Sequence, residues 1–300
     1  MDRQQGRREM TIPDISVIIP HYNDPVRLDR CLASLDQQSV DRSRFEIIVA
    51  DNRSPVGEAV VAAAIAGRAT LVFADEKGAG PARNAAVAAS TGRILAFIDA
   101  DCVADPDWLA AGEAALSRHD LVGGRMIVFT ESGGRPTPAE AFELVFAFQN
   151  EAYVRDKGFS VTANLFTTRA VFDAVGPFRN GVSEDADWCH RARDLGYRIG
   201  YAADARVSHP ARTDWPELER KFKRINAEMH QLLMGRPGGG WRWAAQCVIL
   251  PLSIPAHAVR VLRAPTLNGV DERLAALGML ARIRMWRTTD ALLRLVGART

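Results

Sequence analysis

Two pairs of acidic residues carry the sequence's most chemically pointed spacing. Asp99-Ala100-Asp101 closes the apolar run Ile94–Asp99, and Glu184-Asp185, followed by Asp187 and Trp188, opens a helical pattern. Carboxylates in i, i+2 spacing just past a strand can both reach one cation, because the chain is leaving its pleat. Hard divalent ions such as Mg2+ or Mn2+ take oxygen ligands from one or two carboxylates plus substrate phosphates. The same spelling also serves as a solvated turn or a helix cap. Acids in a first helical turn often only complement the macrodipole, yet a carboxylate is also what a general base needs to take a proton from an attacking hydroxyl. Asp101 and Asp185 are too distant in sequence to form one local motif, so only the fold can bring them together. His209, after the extended stretch Arg206–Ser208, is either a metal ligand or a capped surface histidine.

Between these groups lies Gly78–Ala88 (GAGPARNAAVA). Glycines just before a helix, followed by Arg83, supply backbone N–H groups and a guanidinium suited to a phosphate or a base edge. A dinucleotide fingerprint of the G-x-G-x-x-G type is the competing reading. It fails on spelling, because Arg83 stands where the third glycine belongs, and on position, because it follows the third strand rather than the first.

The elements that must position these groups are legible as an alternation. Ile15–Pro20, Phe45–Asp51, Thr70–Ala74 and Ile94–Asp99 read as strands. Pro25–Gln38, Val56–Ala66, Pro81–Ser90 and Pro106–Ser117 read as helices. Strands that are continuously apolar and separated by helices predict a parallel sheet covered on both faces. In such sheets ligands bind beyond the carboxyl ends of the strands, where Pro20–Asp24, Asp51-Asn52 and Asp99–Asp101 all fall. From Leu121 the pattern changes: strands over Leu121–Phe129, Ser160–Phe166, Arg198–Tyr201 and Arg206–His209, with helices over Pro138–Arg155 and Ser183–Leu195. After Pro210 the chain turns helical and basic, with an amphipathic helix over Trp215–Leu233 and a hinge at Gly238–Gly240.

Composition places the chain among globular proteins: 300 residues, 47% hydrophobic, 25% charged and a net charge of +2. That charge gives no reason to expect nucleic acid as a partner. The four cysteines stand alone at Cys31, Cys102, Cys189 and Cys247, which argues against a zinc knuckle or disulfide framework and for a reducing compartment. The Arg-rich residues 1–12 read as a disordered tail with no apolar core of a secretory signal. Trp241–Leu262 is apolar but interrupted by Gln246, Pro251, Pro255 and His257, against the ~20 clean apolar residues a spanning helix needs. From Trp241 to the end there are nine arginines and three acids. That balance fits an interfacial segment resting on anionic lipid, or a helical subdomain with a solvated basic face.

The order of motifs, V-I-I-P-x-Y-N, I-I-V-x-D-N-x-S, K-G-x-G-x-A-R-N, F-I-D-A-D and S-E-D-x-D-W, resembles the family 2 glycosyltransferases over about Ile15 to His209. The resemblance implies a GT-A fold, a mostly parallel, Rossmann-like sheet between helices. With the pattern along the chain, it gives a tail (1–12), a catalytic domain (13–212, with a nucleotide-binding half to 120 and an acceptor half from 121) and a basic helical region (213–300), to which the resemblance does not extend. It assigns Pro20 and Tyr22 to the nucleobase, Asp51 to the base edge or ribose, Arg83 to the nucleotide and Asp99 to ribose or metal. Asp101 becomes a metal ligand, with His209 completing the shell, and Asp185 the catalytic base with Glu184 beside it. Cys102 departs from the pattern by standing where a further acid is frequent. The Q-x-x-R-W signature of processive synthases is absent, which favours addition of one sugar.

The implied reaction is hexosyl transfer of the inverting kind. A sugar moves from a nucleotide-diphosphate donor, a UDP-sugar by default, to a hydroxyl of a glycan or lipid-linked acceptor, with Mn2+ or Mg2+ as cofactor, in cell-surface polysaccharide or glycolipid synthesis. The expected location is the cytoplasm, peripheral on the inner face of the membrane. Trp188 is the expected acceptor-stacking residue, whereas Phe142, Phe146, Phe148 and Tyr153 at helical spacing read as core. Two rivals stand beside it: a non-catalytic scaffold of the same fold docked at the membrane, which two intact acidic motifs disfavour, and a sugar-nucleotide pyrophosphorylase, which lacks its glycine-rich loop near the first strand.

Overall fold

The computed structural model describes residues 13–235 and 237–295, so the tail expected over 1–12 lies outside the described residues. The first half alternates as β1 (Ile15–His21), α1 (Pro25–Leu35), β2 (Phe45–Asp51), α2 (Glu58–Ile65), β3 (Thr70–Phe73), α3 (Ala79–Ala88) and β4 (Ile94–Phe97). Local chemistry sets these boundaries. Asp24 caps α1 by accepting the Arg27 backbone N–H at 3.1 Å, and Pro25 occupies the first turn, where its missing N–H costs nothing. The stripe Leu28, Cys31, Leu32 and Leu35 is buried, as its period requires.

There follow β5 (Val103–Ala104), α4 (Trp108–Leu116), β6 (Leu121–Phe129), α5 (Pro138–Phe146), α6 (Asn150–Lys157), β7 (Leu165–Thr168), α7 (Arg169–Val175), α8 (Glu184–Asp194) and β8 (Ile199–Pro210). The sheet runs β3-β2-β1-β4-β7-β6-β8-β5. β1, β2, β3 and β4 pair in parallel, whereas β4–β7, β6–β7 and β5–β8 are antiparallel. The parallel pairing expected of the sheet holds across β3, β2, β1 and β4. β1 has β2 on one side and β4 on the other, so the chain reverses its direction of progress between β1 and β4. That is the topological switch point, where such sheets open a crevice.

Three expectations are corrected. The single helix expected over Pro138–Arg155 is two, broken at Ala147–Gln149, where Phe148 takes a left-handed φ of 48°. The strand expected from Ser160 begins only at Leu165, after a 3-10 turn over Thr162–Asn164. The two short strands expected near Tyr201 and His209 are one continuous β8.

The chain divides into two compact units. One takes residues 13–127 and Gln149–His209, the sheet and its covering helices. Its core runs through Ile18, Phe97, Leu165 and Trp188. The other joins Val128–Phe148 to the described residues from Pro210 onward, a wider set than the basic region expected from 213. It holds α9 (Trp215–Met234), α10 (Gly239–Leu252), α11 (Ile254–Leu262) and α12 (Val270–Leu295). In its core Phe142 stacks on Phe146 with centroids 4.8 Å apart, and Glu143, 0% exposed, receives Lys221 Nζ at 2.6 Å and Arg212 Nη1 at 3.1 Å.

Candidate active site

A cavity of about 420 Å3 opens at the β1–β4 switch point within the sheet unit. Pro20, His21 and Tyr22 line it from the end of β1, Lys77, Gly78 and Arg83 from the turn into α3, and Asp99 and Asp101 from beyond β4. That size suits a small organic ligand. Tyr22 is 53% exposed, so its ring has a free face for stacking.

Beneath Tyr22 the end of β1 is fixed to the end of β2. His21 Nδ1 lies 2.8 Å from Asp51 Oδ1, and His21 Nε2 accepts the Asp24 backbone N–H at 3.2 Å. An accepting Nε2 assigns the imidazole proton to Nδ1, which donates to Asp51. Asp51 also accepts the backbone N–H and the hydroxyl of Ser54. Burial opposes its ionisation, but the bonds from Ser54 and His21 outweigh it and hold the carboxyl below its ordinary range. Asp51 is 2% exposed and commits three hydrogen bonds to its own scaffold, whereas its neighbour Asn52 lines the cavity.

Asn52 shapes the glycine turn. Its amide N donates to the Glu76 carbonyl at 2.7 Å, and its Oδ1 accepts the Gly78 N–H at 2.8 Å. Gly78 has a φ of +139°, a backbone conformation that calls for glycine.

Arg83 links the two acidic motifs. Its side chain is buried on α3, with Nη2 donating to Asp99 Oδ1 at 2.7 Å and Nη1 to Glu184 Oε1 at 3.1 Å, while Nε has no partner. Burial would weaken its charge, but Asp99, Asp185 and Glu184 together keep its pKa above the usual value. Asp185 is half-buried and accepts the Thr162 hydroxyl at 2.7 Å. Burial pushes its carboxyl up to about 6, with Arg83 opposing and the Glu184 charge adding. A carboxylate titrating near neutrality is suited to general base work.

Asp101 meets His209 through strand register. β5 pairs antiparallel with β8, Val103 opposite Ser208, which sets the preceding residues of one strand against the end of the other. His209 Nε2 lies 3.3 Å from Asp101 Oδ2, and with Cys102 Sγ the three offer ligand atoms within 4.8 Å of one another. Cys102 is fully buried, and that burial raises its thiol pKa well above the ordinary value. Of the three, the Asp101 carboxylate and the His209 imidazole suit a hard divalent ion better than a soft sulfur does. Asp99, Glu184 and Asp185 surround the buried Arg83, and Asp101 stands beside His209, so carboxylates outnumber the cation at this end of the sheet.

Trp188 does not serve as expected. It is 0% exposed, packed 5.7 Å from Phe172 and 5.5 Å from Phe178, with its indole N–H donated to the Gly176 carbonyl at 2.9 Å. No acceptor sugar can stack on it. Sequence reading missed His21, Asn52 and Thr162. The first two lie inside quoted motifs. Thr162 is signalled only by polar residues interrupting an apolar run, which turn out to form a buried network in which Asn150 and Asn164 bond Gly124, Val161, Ala205 and Trp108.

The profile described as glycosyl transferase family 2 matches residues 16–179, more than half of the chain. The chain belongs to this family. Glycosyltransferase AglE of Haloferax volcanii is 34% identical over 221 residues, 71% of this chain and 72% of that protein. The pre-mycofactocin glycosyltransferase of Mycobacterium tuberculosis is 28% identical over 67% of this chain and 44% of its own length. Among solved structures, the mannosyltransferase PcManGT of Pyrobaculum calidifontis, in complex with GDP-Man and Mn2+, superposes with a TM-score of 0.59 at 19% identity, covering 95% of this chain and 86% of that one. S. aureus TarS in complex with UDP-GlcNAc gives 0.52 at 17% identity over 95% of this chain and 92% of that one. The architecture of this family 2 member is thus the GT-A fold.

Proposed function

We propose that this family 2 glycosyltransferase moves one sugar from a nucleoside-diphosphate donor, a UDP-sugar in the first instance, to an acceptor hydroxyl with inversion at the anomeric carbon. The observation that carries the reading is Arg83, which ties Asp99 at the donor cavity to Glu184 at the start of α8 and so sets the two acidic motifs around one buried cation.

The nucleobase stacks on the open face of Tyr22, and Asn52 and the N–H groups entering α3 face the ribose and phosphates. Asp101 and His209 would hold a divalent ion, Mn2+ or Mg2+. When bound, such an ion supplies Lewis-acid neutralisation of charge on the leaving diphosphate. Arg83 adds a fixed positive charge that needs no reorganisation. Asp185 takes the proton from the acceptor hydroxyl as its oxygen attacks the anomeric carbon and the bond to the diphosphate breaks. One displacement without a covalent sugar–enzyme adduct inverts the configuration.

Neighbours of this fold hold GDP-Man in one case and UDP-GlcNAc in another, so the base is best found by measurement. The acceptor class proposed is a glycan or lipid-linked glycan of the cell surface. Four cysteines that are all free and buried support a reducing compartment such as the cytoplasm.

A thermal-shift panel of UDP, GDP and dTDP sugars with Mn2+ identifies the donor, since a ligand at about 100 times its Kd stabilises the native state by about 2.7 kcal/mol. Hydrolysis of that donor should stop in EDTA and return with Mn2+ or Mg2+. Asp185→Asn should lower transfer by about 100-fold or more with donor affinity retained. No stabilisation by any nucleotide sugar, or full activity in chelator, contradicts the reading.

A further inference from the structure

α10 and α11 are apolar on two opposite faces. The inner face is accounted for: Trp243, Cys247 and Leu250 are buried, Trp243 donates its indole N–H to the Ala291 carbonyl on α12 at 2.9 Å, and Val261 of α11 enters the core of the same unit. The outer face should then be polar, as it is on an ordinary surface helix. Instead Trp241 is 67% exposed, Val248 59%, Ile249 61%, Leu252 71%, Val259 45% and Leu262 56%. Their spacing in α10 follows i, i+7, i+8, i+11, one stripe of a helix. An apolar stripe of this extent marks an interaction surface.

The charge around the stripe selects the partner. From Met229 to Val270 the sequence contains no Asp or Glu, but it contains four arginines. Arg242 stands next to Trp241 at one end of the stripe and Arg263 next to Leu262 at the other, both exposed. Apolar side chains flanked by arginines, with no acid in the intervening sequence, match a surface that is apolar within and anionic at its rim.

Geometry decides between lying on a bilayer and crossing it. Among the described residues no single helix is long and apolar enough to cross, and α10 and α11 meet at a 43° bend between Pro251 and Pro255. The two legs pass the length and composition test for crossing only as a bent pair, and at about 1.5 Å per residue neither leg alone reaches the ~30 Å of a hydrocarbon core. Their inner face is also already committed to α9 and α12.

We infer that the outer face of α10–α11 is a membrane-docking surface that lies flat in the interface of an anionic bilayer, with Trp241, Ile249 and Leu252 inserted and Arg242 and Arg263 on acidic headgroups. This holds whether or not the proposed donor chemistry is right.

The test is co-sedimentation of the full chain with phosphatidylcholine vesicles, with and without phosphatidylglycerol. The wild type should pellet with the anionic vesicles, weakly with the neutral ones, and less at high salt. Ile249→Glu with Leu252→Glu should abolish pelleting while the circular dichroism and melting temperature stay at wild-type values. Arg242→Gln with Arg263→Gln should lower partitioning by about thirtyfold, each basic residue near such a surface contributing about fivefold. As a second measurement on the unaltered surface, brominated lipid should quench part of the tryptophan emission, and Trp241→Phe should remove the quenched part. The inference is overturned if the wild type stays in the supernatant with anionic vesicles, or if the double Glu variant pellets like the wild type. It is equally overturned if the wild type is a dimer that the Glu variant converts to monomer, since the face then covers a second copy. Recovery of the chain from cells only in detergent would mean that the pair crosses the bilayer, and would also overturn it.

Discussion

Thr162 donates its hydroxyl to Asp185 across 2.7 Å, from a 3-10 turn that the sequence disguises as a strand. The bond favours the ionised carboxylate and so works against burial, which pushes the Asp185 pKa up to about 6. A base must be deprotonated to act, so transfer should fall as pH drops through about 6. Thr162→Val removes one stabilising bond, worth about 1 kcal/mol, and should move the acidic limb of the rate profile upward by somewhat less than about one pH unit. An unmoved limb in Thr162→Val would show that Thr162 only packs against the site.

Arg83 acts on the same carboxylate through charge. It is the largest of the influences that lower the Asp185 pKa, and it reaches Asp99 and Glu184 directly. Arg83→Gln keeps polarity but leaves three acids without their buried cation. The acidic limb should then move upward further than in Thr162→Val, and donor affinity should fall. Arg83→Lys should restore part of the pH shift, because it returns the charge, but it cannot reproduce a fork that bonds two carboxylates at once. If Gln and Lys variants share one pH profile, the role of Arg83 is not electrostatic.

What could be read from the sequence follows from the range of the interactions involved. The strand–helix alternation through Ile94 was legible because period and capping are local, as in the buried stripe of α1. Asp99, Asp101 and Asp185 could be placed because each sits at the boundary of an element, and Arg83 because it follows the glycines that open α3. The Asp101–His209 contact depends instead on the register of β5, a two-residue strand with no pattern of its own. Trp188 looked available because it stands beside acids in a first helical turn. Its 0% exposure depends on Phe172 and Phe178, whose packing no helical period reveals. Asp51 looked like a ligand-reading acid, and only the fold shows His21 and Ser54 occupying it.

Tyr22 and Asp51 should therefore separate by readout. Asp51→Ala strands the Ser54 N–H and hydroxyl and the His21 Nδ1 proton in a buried place, and should cost about 2–4 kcal/mol of stability. Tyr22 is 53% exposed, so Tyr22→Ala should leave stability within about 0.5 kcal/mol. It should nevertheless weaken nucleotide binding by about tenfold or more through lost base stacking. Urea denaturation and nucleotide titration on both variants check the contrast. A large stability loss in Tyr22→Ala, with nucleotide affinity unchanged, would assign that ring to the fold.

The helical unit carries its own pH signature at Glu143. This carboxylate is fully buried between Lys221 and Arg212, and although burial alone would raise its pKa, the two cations and their hydrogen bonds lower it below the usual value. A carboxyl depressed in the folded state binds its proton more readily when unfolded. Its contribution to stability is thus complete above the unfolded pKa of about 4.3 and is lost as pH falls through the lower folded value. Glu143→Gln keeps the shape and removes the charge, leaving Lys221 and Arg212 without their shared anion. Breaking a buried pair from one side costs about 3–5 kcal/mol. The variant should therefore be less stable by about that amount at neutral pH, and the gap to wild type should narrow below about pH 4 as the native glutamate is itself protonated. Urea denaturation across that range measures both curves. A gap that stays constant with pH would mean that packing around Glu143, and not its charge, holds the helices together.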